Sequence, residues 1–329
     1  MVTALLYLGF AGLGYFIGSR FRDKKDKFGW LGRLLTFIVF SLITCMGYKM
    51  GSSESVIHDI MEIGINSVIL AVVPLLFTIA GLSITRRLVG YNKTGELVPK
   101  DERKLKGSSG RSSGTGKTVI PRTTFLYMGG VLMGFVFGYF MVVKNNIIDF
   151  EKGYSVVGTY ITYALYMMVF LVGVDLGFDG TAPKLMKQAG LKTLIFPLVV
   201  GIATLVGVYA CTFFMEYDAH ESLMIGATFC WYSLAPNIII DGGFVAAGAV
   251  AFLSNFFRVI ITLITVPIVA QKVGYVETTG MAVAASMDVC IGTIESSTNK
   301  TCAIIAFVTG CVFTFLIPVT MPIIVAMNF

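Results

Sequence analysis

Apolar residues are grouped in long runs along the chain, and short polar segments separate these runs. A run of roughly 20 apolar residues is the length that an α-helix needs to cross about 30 Å of hydrocarbon. The pattern predicts an all-α polytopic membrane protein with eight membrane-spanning helices. They are predicted at residues 2–18, 29–50, 63–85, 123–143, 155–178, 191–215, 244–270 and 301–327.

Two further apolar segments are too interrupted to be full spans. Residues 223–241 contain "WYSLAPN", and residues 280–297 contain "ASMD", which ends at Asp288. Pro236 removes a backbone donor and disfavours helix at the residue before it. Irregular backbone is tolerated in a membrane only where protein or a watery cavity surrounds it. We therefore predict two re-entrant segments that enter from opposite faces and line a polar cavity.

Weak internal repeats divide the rest of the chain. "GYF" at Gly14 recurs at Gly138 (an offset of 124), "MGYKMG" at Met46 is echoed by "VGVDLG" at Val172 (126), and Pro74 by Pro197 (123). An odd number of spans in each unit would turn the second copy upside down, the inverted-repeat architecture of many secondary transporters. Pro267 and Pro322 align at an offset of 55, which predicts two smaller units in the last third.

This gives a division into four parts. Residues 1–90 are predicted to form the first three-helix repeat, and 123–216 the inverted second repeat. Between them, 91–122 is a basic, Gly/Ser-rich loop expected to be flexible and cytoplasmic. Residues 217–329 are predicted to form two units, each an interrupted segment followed by a helix, which together build the substrate site.

Composition and charge distribution exclude several classes of protein. With 56% hydrophobic residues, 13% charged residues and a mean hydropathy of +0.81, the chain is not a soluble domain. Its net charge of +6 comes from basic loops at 19–27, 86–122 and 179–192, while the alternate loops are acidic or balanced. That is the positive-inside pattern, which predicts a multi-pass protein of the inner (plasma) membrane with both termini outside, rather than a nucleic-acid binder.

Some sequence features predict the absence of other sites. The first apolar run has neither a basic segment before it nor a cleavage pattern after it, so it is expected to be a retained helix. The six cysteines lie in apolar segments without a CxxC pair, so no zinc site or disulfide framework is expected. No cofactor is expected other than a coupling ion, either a proton or sodium. The predicted partners are a small substrate and membrane lipid, and a homodimer is compatible with this composition.

Ionisable residues in membrane segments are the strongest candidates for function, since each costs about 2.5–3.5 kcal/mol at the centre of a bilayer on insertion scales. Asp288 is predicted to take a proton, bind a cation or meet a substrate ammonium group. Arg258 is predicted either to pair with Asp288 or Glu295 or to bind a substrate carboxylate. Asp241 is expected to be a solvated cap. The full set of predicted substrate and coupling-ion residues is Asp288, Ser233, Trp231, Tyr232, Asn237, Asn255, Arg258, Ser286, Glu295 and Asp175.

Three blocks resemble the LysO-type lysine exporter family of bacteria and archaea: "FLVGVDLG" (Phe170–Gly177), "CWYSLAPNIIIDGG" (Cys230–Gly243) and "AASMD" (Ala284–Asp288). The resemblance implies an inner-membrane protein of eight spans that exports L-lysine and toxic lysine mimics in exchange for protons. It also implies essential acidic groups in water-accessible membrane cavities.

One block departs from the family pattern. Where the family has Phe-Asn-Asp-Leu-x-Arg-Glu, this chain reads "LSNFFRV", so Asn255 replaces the acid and Val259 the glutamate, while Arg258 is retained. A substrate with a side-chain ammonium group would favour those carboxylates. Either Asp175 and Asp288 compensate for them, or the substrate is another small amino or organic acid.

Three functions are therefore compared. The leading hypothesis is a secondary transporter of lysine or a related amino acid, coupled to protons. The second is a sodium-coupled symporter for an organic anion, with Arg258 as the carboxylate partner. The third is an intramembrane hydrolase with Ser233 as nucleophile, which would need a base within hydrogen-bond reach.

Overall fold

The computed structural model describes residues 2–22, 28–95, 122–145, 147–179, 191–215 and 217–327. These ranges confirm the all-α, polytopic architecture. The 91–122 loop, apart from its first five residues and Arg122, lies outside the described residues, as does most of the basic segment at 179–192. The orientation of the termini therefore stays a prediction.

The described helices follow the apolar runs closely. They are α1 (Val2–Arg20), α2 (Leu31–Gly51), α3 (Glu54–His58), α4 (Ile60–Val89), α5 (Arg122–Gly138, continued as a π-helix over Tyr139–Lys144), α6 (Phe150–Asp179), α7 (Ile195–Thr212, after a 3₁₀ turn at Leu191–Leu194), α8 (Ala219–Ala227), α9 (Ala235–Asp241), α10 (Val245–Lys272), 3₁₀ turns at Val276–Gly280 and Val283–Met287, α11 (Ile291–Ser297) and α12 (Lys300–Val325).

Seven of the eight predicted spans are long and apolar enough to cross a membrane, counted over the described part of the chain. They are α2, α4, α5 with its π-helical end, α6, α7, α10 and α12. The eighth prediction corresponds to α1, whose 19 residues reach about 28 Å at 1.5 Å per residue. Most predicted boundaries are within a few residues of the observed ones because hydropathy sets them directly.

Local capping shows why the chain restarts helices where it does. Asp218 accepts a hydrogen bond from the backbone N–H of Glu221 and begins α8. Asn299 accepts one from the N–H of Cys302 and begins α12. Side-chain oxygens at these positions satisfy N–H groups that the first helical turn leaves free. At the other end of a helix, Gly90 adopts a left-handed φ of 92° and closes α4.

Two helix pairs form one side of the molecule, and glycines bring the helices of each pair into backbone contact. In the first pair, α1 packs along α6, and Gly14 and Gly18 face the backbone of Phe170 and Val174. The contact is reciprocal, because Gly173 and Gly177 of α6 face the backbone of α1. Small residues four apart allow this close approach between membrane helices.

The second pair, α2 with α5, repeats this arrangement. Gly47 and Gly51 face the backbone of Val131 and Phe135, and the reciprocal glycines on α5 are Gly134 and Gly138. Gly134 faces the backbone of Thr44 and Tyr48. Gly14 faces Phe170 and Val174 in the same way, so the contacts make Gly134 the equivalent of Gly14. The shared "GYF" motif instead aligns Gly14 with Gly138, one helical turn further along.

The remaining long helices lie between and beside these pairs. α4 packs against α7 and α10, and α12 packs against α1 and the second interrupted segment. Between α4 and α7, the hydroxyls of Thr78 and Thr204 lie 3.2 Å apart, and these residues are 126 positions apart in sequence. In an inverted repeat, a residue next to the twofold axis contacts its own equivalent in the other repeat. The Thr78–Thr204 contact and the reciprocal glycines therefore fit the inverted repeat, which stays a prediction.

Candidate substrate site

The two interrupted segments are broken, as predicted, and they meet. The first is non-helical over residues 228–234, between α8 and α9. The second consists of two 3₁₀ turns followed by α11. The backbone N–H of Ala284 in the second segment donates a 3.1 Å hydrogen bond to the carbonyl oxygen of Phe229 in the first. Two interrupted segments from separate places in the sequence therefore join inside the helix bundle.

Both breaks contain backbone in a conformation that L-residues rarely adopt. Phe229, Cys230 and Val283 have φ angles of 45°, 64° and 49°. A positive φ is uncommon for any residue with a Cβ and a clear outlier for a β-branched one. Strain of this kind costs about 1–3 kcal/mol per residue and persists where the surrounding structure enforces it, often at functional sites.

Two asparagines predicted as cavity ligands hold the first break in shape. Asn255 on α10 donates to the hydroxyl of Thr228 over 2.7 Å. Asn237 donates to the carbonyl oxygen of Ser233 over 2.9 Å, while its own amide oxygen is buried without a partner in the described contacts. Ser233 is itself buried. These amides bind the protein's own chain, which is a positioning role.

Arg258 does not make the ion pair predicted for it. Its Nε donates to the carbonyl oxygen of Met281 over 2.9 Å, and its terminal nitrogens donate to Thr78 over 2.8 Å and to Thr204 over 3.4 Å. The side chain is 3% exposed, and its described contacts include neither Asp288 nor Glu295. Of the two predicted roles, the ion pair is not found among the described contacts, because neutral oxygens of α4, α7 and the second break surround the guanidinium group. The role in binding a substrate carboxylate stays a prediction.

Asp288 directly follows the second 3₁₀ turn of the second break. The residue is exposed, and one oxygen accepts a hydrogen bond from the N–H of Val289. The hydroxyls of Tyr127 and Tyr232 lie within its electrostatic reach, and the two tyrosine rings are 6.3 Å apart. Tyr127 also lies near Thr36, close to the start of α2. Asp288 therefore lies toward the face where α2 and α5 begin.

The other predicted residues lie at the breaks or further away from them. Trp231 is half-buried at the first break, and Ser286 is fully buried with no described partner for its hydroxyl. Glu295 is exposed on α11, two turns beyond Asp288. Asp175 is exposed on α6, next to Leu176, which packs in one cluster with Met287.

Two ion pairs, each with a buried basic side chain, were missed from the sequence. Lys49 Nζ lies 3.2 Å from Asp241 Oδ1, joining the end of α2 to the end of α9, so Asp241 is not simply a solvated cap. Arg86 Nε lies 2.7 Å from Glu277 Oε1, joining the end of α4 to the chain just before the second segment. Asp241 is the last residue of the first interrupted segment and Glu277 lies three residues before the second, and these positions are the sequence signal that could have indicated both acids.

Two apolar cavities lie away from these polar residues. One, of about 380 Å³, lies between α7 and α8, and the other, of about 620 Å³, between α2, α5 and α6. Their lining is mostly apolar, with Ser222 in the first cavity and Thr44 and Lys152 in the second. Because neither cavity is lined by a predicted substrate residue, the breaks remain the candidate site.

Comparison with known proteins agrees with this architecture. A family model described as "Lysine exporter LysO" matches residues 128–325, more than half of the chain, and that region includes both interrupted segments. The chain belongs to the lysine exporter LysO family. The membership confirms the resemblance seen in the sequence, and with the apolar helices it makes the chain a multi-pass membrane protein of an exporter family.

Individual relatives are distant. The chain is 24% identical to "Lysine exporter LysO" of Escherichia coli (strain K12) over 159 residues, 48% of this chain and 52% of that protein. It is 26% identical to a "Putative lysine exporter" of Haemophilus influenzae over 196 residues, 58% of this chain and 92% of that protein. The match thus spans about half the length of the E. coli relative. No solved structure matches the chain.

Proposed function

We propose that this protein is a secondary active transporter that exports L-lysine or a related small amino acid across the inner membrane in exchange for protons. The family and both relatives are named as lysine exporters. The substrate binds where the two interrupted segments meet. Asp288 binds the substrate's ammonium group in one state and a proton in another.

One observation carries this proposal. The breaks are joined by the hydrogen bond between Ala284 and Phe229, and Asp288, an exposed residue, lies four positions after Ala284. A carboxylate inside a membrane protein marks a pathway for ions or substrate, because burying it without such a role is costly. Two broken segments meeting within the bundle are also the usual site of binding in carriers with repeats.

The surroundings of Asp288 suit a zwitterionic ligand with an extra ammonium group. The rings of Tyr127 and Tyr232 offer faces that attract a cation. In the first break, the backbone N–H groups of Tyr232 and Ser233 donate to no acceptor in the described contacts. Free N–H groups of this kind bind a carboxylate well. The ligand's two ends would then be held by different parts of the junction.

The departure from the family pattern places more weight on Asp288. Asn255 is hydrogen bonded to Thr228, and Val259 is buried in the core, so neither supplies a charge that replaces the missing acids. Arg258 also has its nitrogens engaged by neutral oxygens. That engagement weakens the organic-anion alternative, which needs a guanidinium group free to bind a carboxylate.

The hydrolase alternative has no support in the described contacts of Ser233. Lys49 is paired with Asp241, and His220 lies 2.7 Å from the carbonyl oxygen of Ile324. Neither is described in contact with the serine hydroxyl. A nucleophilic serine needs a base within about 3 Å.

Alternating access would come from movement of the two glycine-packed pairs, α1–α6 and α2–α5, against the interrupted segments and the helices that hold them. Each pair is joined by close backbone contacts and would move as a unit. Arg258 ties α10 to α4, α7 and the second segment, so these would move together as the other unit.

The test is efflux of radiolabelled L-lysine from proteoliposomes with an acidic exterior. The unsubstituted protein should release lysine faster when the pH gradient is imposed, and Asp288→Asn should reduce that release at least 10-fold. Glu151→Gln, at an exposed carboxylate of α6, is the matched control and should behave as the unsubstituted protein. Release that ignores the gradient, or that is equal in Asp288→Asn, would refute proton-coupled export through this site.

A further inference from the structure

The Lys49–Asp241 ion pair lies at the other end of α2 from the level of Asp288. Tyr127 lies within electrostatic reach of Asp288 and near Thr36, close to the start of α2, whereas Lys49 is in the last turn of the same helix. At 1.5 Å per residue, these two levels are about 20 Å apart along the axis of α2. A ligand that leaves the junction toward the end of α2 would meet this pair.

The two partners differ in their access to water. The Lys49 side chain is 1% exposed, whereas that of Asp241 is 40% exposed. A buried ammonium group requires a counter-charge, since removing it from water costs several kcal/mol. Asp241 can turn into solvent without that cost. Lys49 therefore needs an anion beside it, and Asp241 is the partner that can be exchanged.

The hydrogen-bonding capacity of Lys49 is only partly used. An ammonium group has three donors. In the described contacts, Nζ donates to Asp241 Oδ1, and it lies 4.1 Å from the centre of the Tyr154 ring. The glycine of α6 lets this helix pack closely against the pair, so an incoming anion would take the place that the Asp241 carboxylate leaves. A Cβ on Gly158 would lie 3.1 Å from Asp241 Oδ1 and 3.2 Å from Lys49 Nζ.

The residues around the ion pair hold both charges in position. Tyr154 donates to the carbonyl oxygen of Ile240 over 3.1 Å, which fixes the end of α9 next to α6. Thr162 donates to the second oxygen of Asp241 over 3.4 Å. Tyr7 and Tyr166, from α1 and α6, lie within electrostatic reach of Asp241. Aromatic rings and hydroxyls, rather than further charges, are described around the pair.

We propose that Lys49 and Asp241 form a second binding site, specific for the zwitterionic head group of an α-amino acid. The ligand's carboxylate binds Lys49, its α-ammonium binds Asp241, and one ion pair is replaced by two. Recognition is by the head group, so amino acids with different side chains bind alike. The inference rests on the proposed function in one respect: this would be the site that the exported amino acid occupies before release.

The test uses the full-length protein with Asp288→Asn, so that lysine binding at the junction is weakened and the second site is observed separately. Binding of radiolabelled L-lysine should persist in this variant. Glycine, which has only the head group, should compete for it at least 10-fold better than pentane-1,5-diamine, which has two ammonium groups and no carboxylate. Equal competition by the diamine, or loss of all lysine binding, would overturn the proposal.

A second set of variants tests the residues themselves. Lys49→Met with Asp241→Asn, added to Asp288→Asn, should weaken lysine binding at least 10-fold. Neutral replacement of a buried pair often preserves folding. Lys49→Arg, which keeps the cation, should retain binding within a few-fold. Unchanged affinity in the neutral variant would show that the pair is only structural. Full transport by Asp288→Asn alone would refute the proposed function, yet it would leave the glycine and diamine comparison decisive for the second site.

Discussion

The two ion pairs at the ends of the interrupted segments differ in one physical respect. Arg86 and Glu277 are both shielded, with side-chain exposures of 8% and 0%. In the other pair, Lys49 is shielded but Asp241 is 40% exposed. Glu277 also accepts a 2.8 Å hydrogen bond from Ser83, and its second oxygen is buried without a described partner. One pair is closed to water and the other is open on its acidic side.

Because of this difference, the Arg86–Glu277 pair is a fixed structural contact, whereas the Lys49–Asp241 pair can exchange its acidic partner. A closed pair fixes the start of the second segment to α4, because neither charge can leave without the other being stranded in a low dielectric. An open pair allows an incoming carboxylate to replace Asp241 next to Lys49. The same kinds of residue thus support different functions according to which partner water can reach.

The largest effect should come from leaving a charge alone in the closed pair. Glu277→Ala strands Arg86, and breaking a buried pair in this way costs about 3–5 kcal/mol of the free energy of unfolding. Asp241→Ala should cost less, about 1.5–3 kcal/mol, the range for one charged hydrogen bond, because water can enter beside Lys49. Chemical unfolding in mixed micelles measures both.

The matched control for this comparison is Arg86→Met combined with Glu277→Gln, which removes the charges together. This double variant should recover most of the stability lost in Glu277→Ala. A result in which Asp241→Ala destabilises the protein more than Glu277→Ala would contradict the distinction between an open and a closed pair.

A smaller effect is expected at Gly158, where α6 packs closely against the open pair. Ala is favoured over Gly in a helix interior by about 1 kcal/mol. Gly64→Ala should show this gain, since a Cβ there would meet nothing within 4 Å. Gly158→Ala should show less of it, because its Cβ crowds Asp241 and Lys49. The free energy of unfolding of both variants, measured under the same conditions, gives the comparison. Equal stabilisation would mean that Lys49 and Asp241 move freely away from the added Cβ.

The sequence was sufficient for the elements that depend on local composition. The spans follow the apolar runs, and the break at 228–234 lies just before Pro236, where the loss of a donor was expected to interrupt the helix. The hydrogen bond between Phe229 and Ala284 shows that the two interrupted segments meet, as predicted.

The partners of the charged residues could not be found in this way. Lys49 and Asp241 are 192 residues apart, and Arg86 and Glu277 are 191 apart, so no local pattern pairs them. For Arg258, charge alone suggested a carboxylate, but its neighbours are the neutral oxygens of Met281, Thr78 and Thr204. Pairing in a membrane interior depends on which helices meet, and hydropathy does not contain that information.

Binding of lysine where the two breaks meet can be tested directly. A lysine analogue with a photoactivatable diazirine, bound to the purified protein and irradiated, locates the ligand by peptide mass spectrometry. We expect adducts within residues 228–237 and 284–290, which excess L-lysine abolishes and Asp288→Asn strongly reduces. Protected adducts found only in the apolar cavity between α2, α5 and α6, with none at either break, would contradict it.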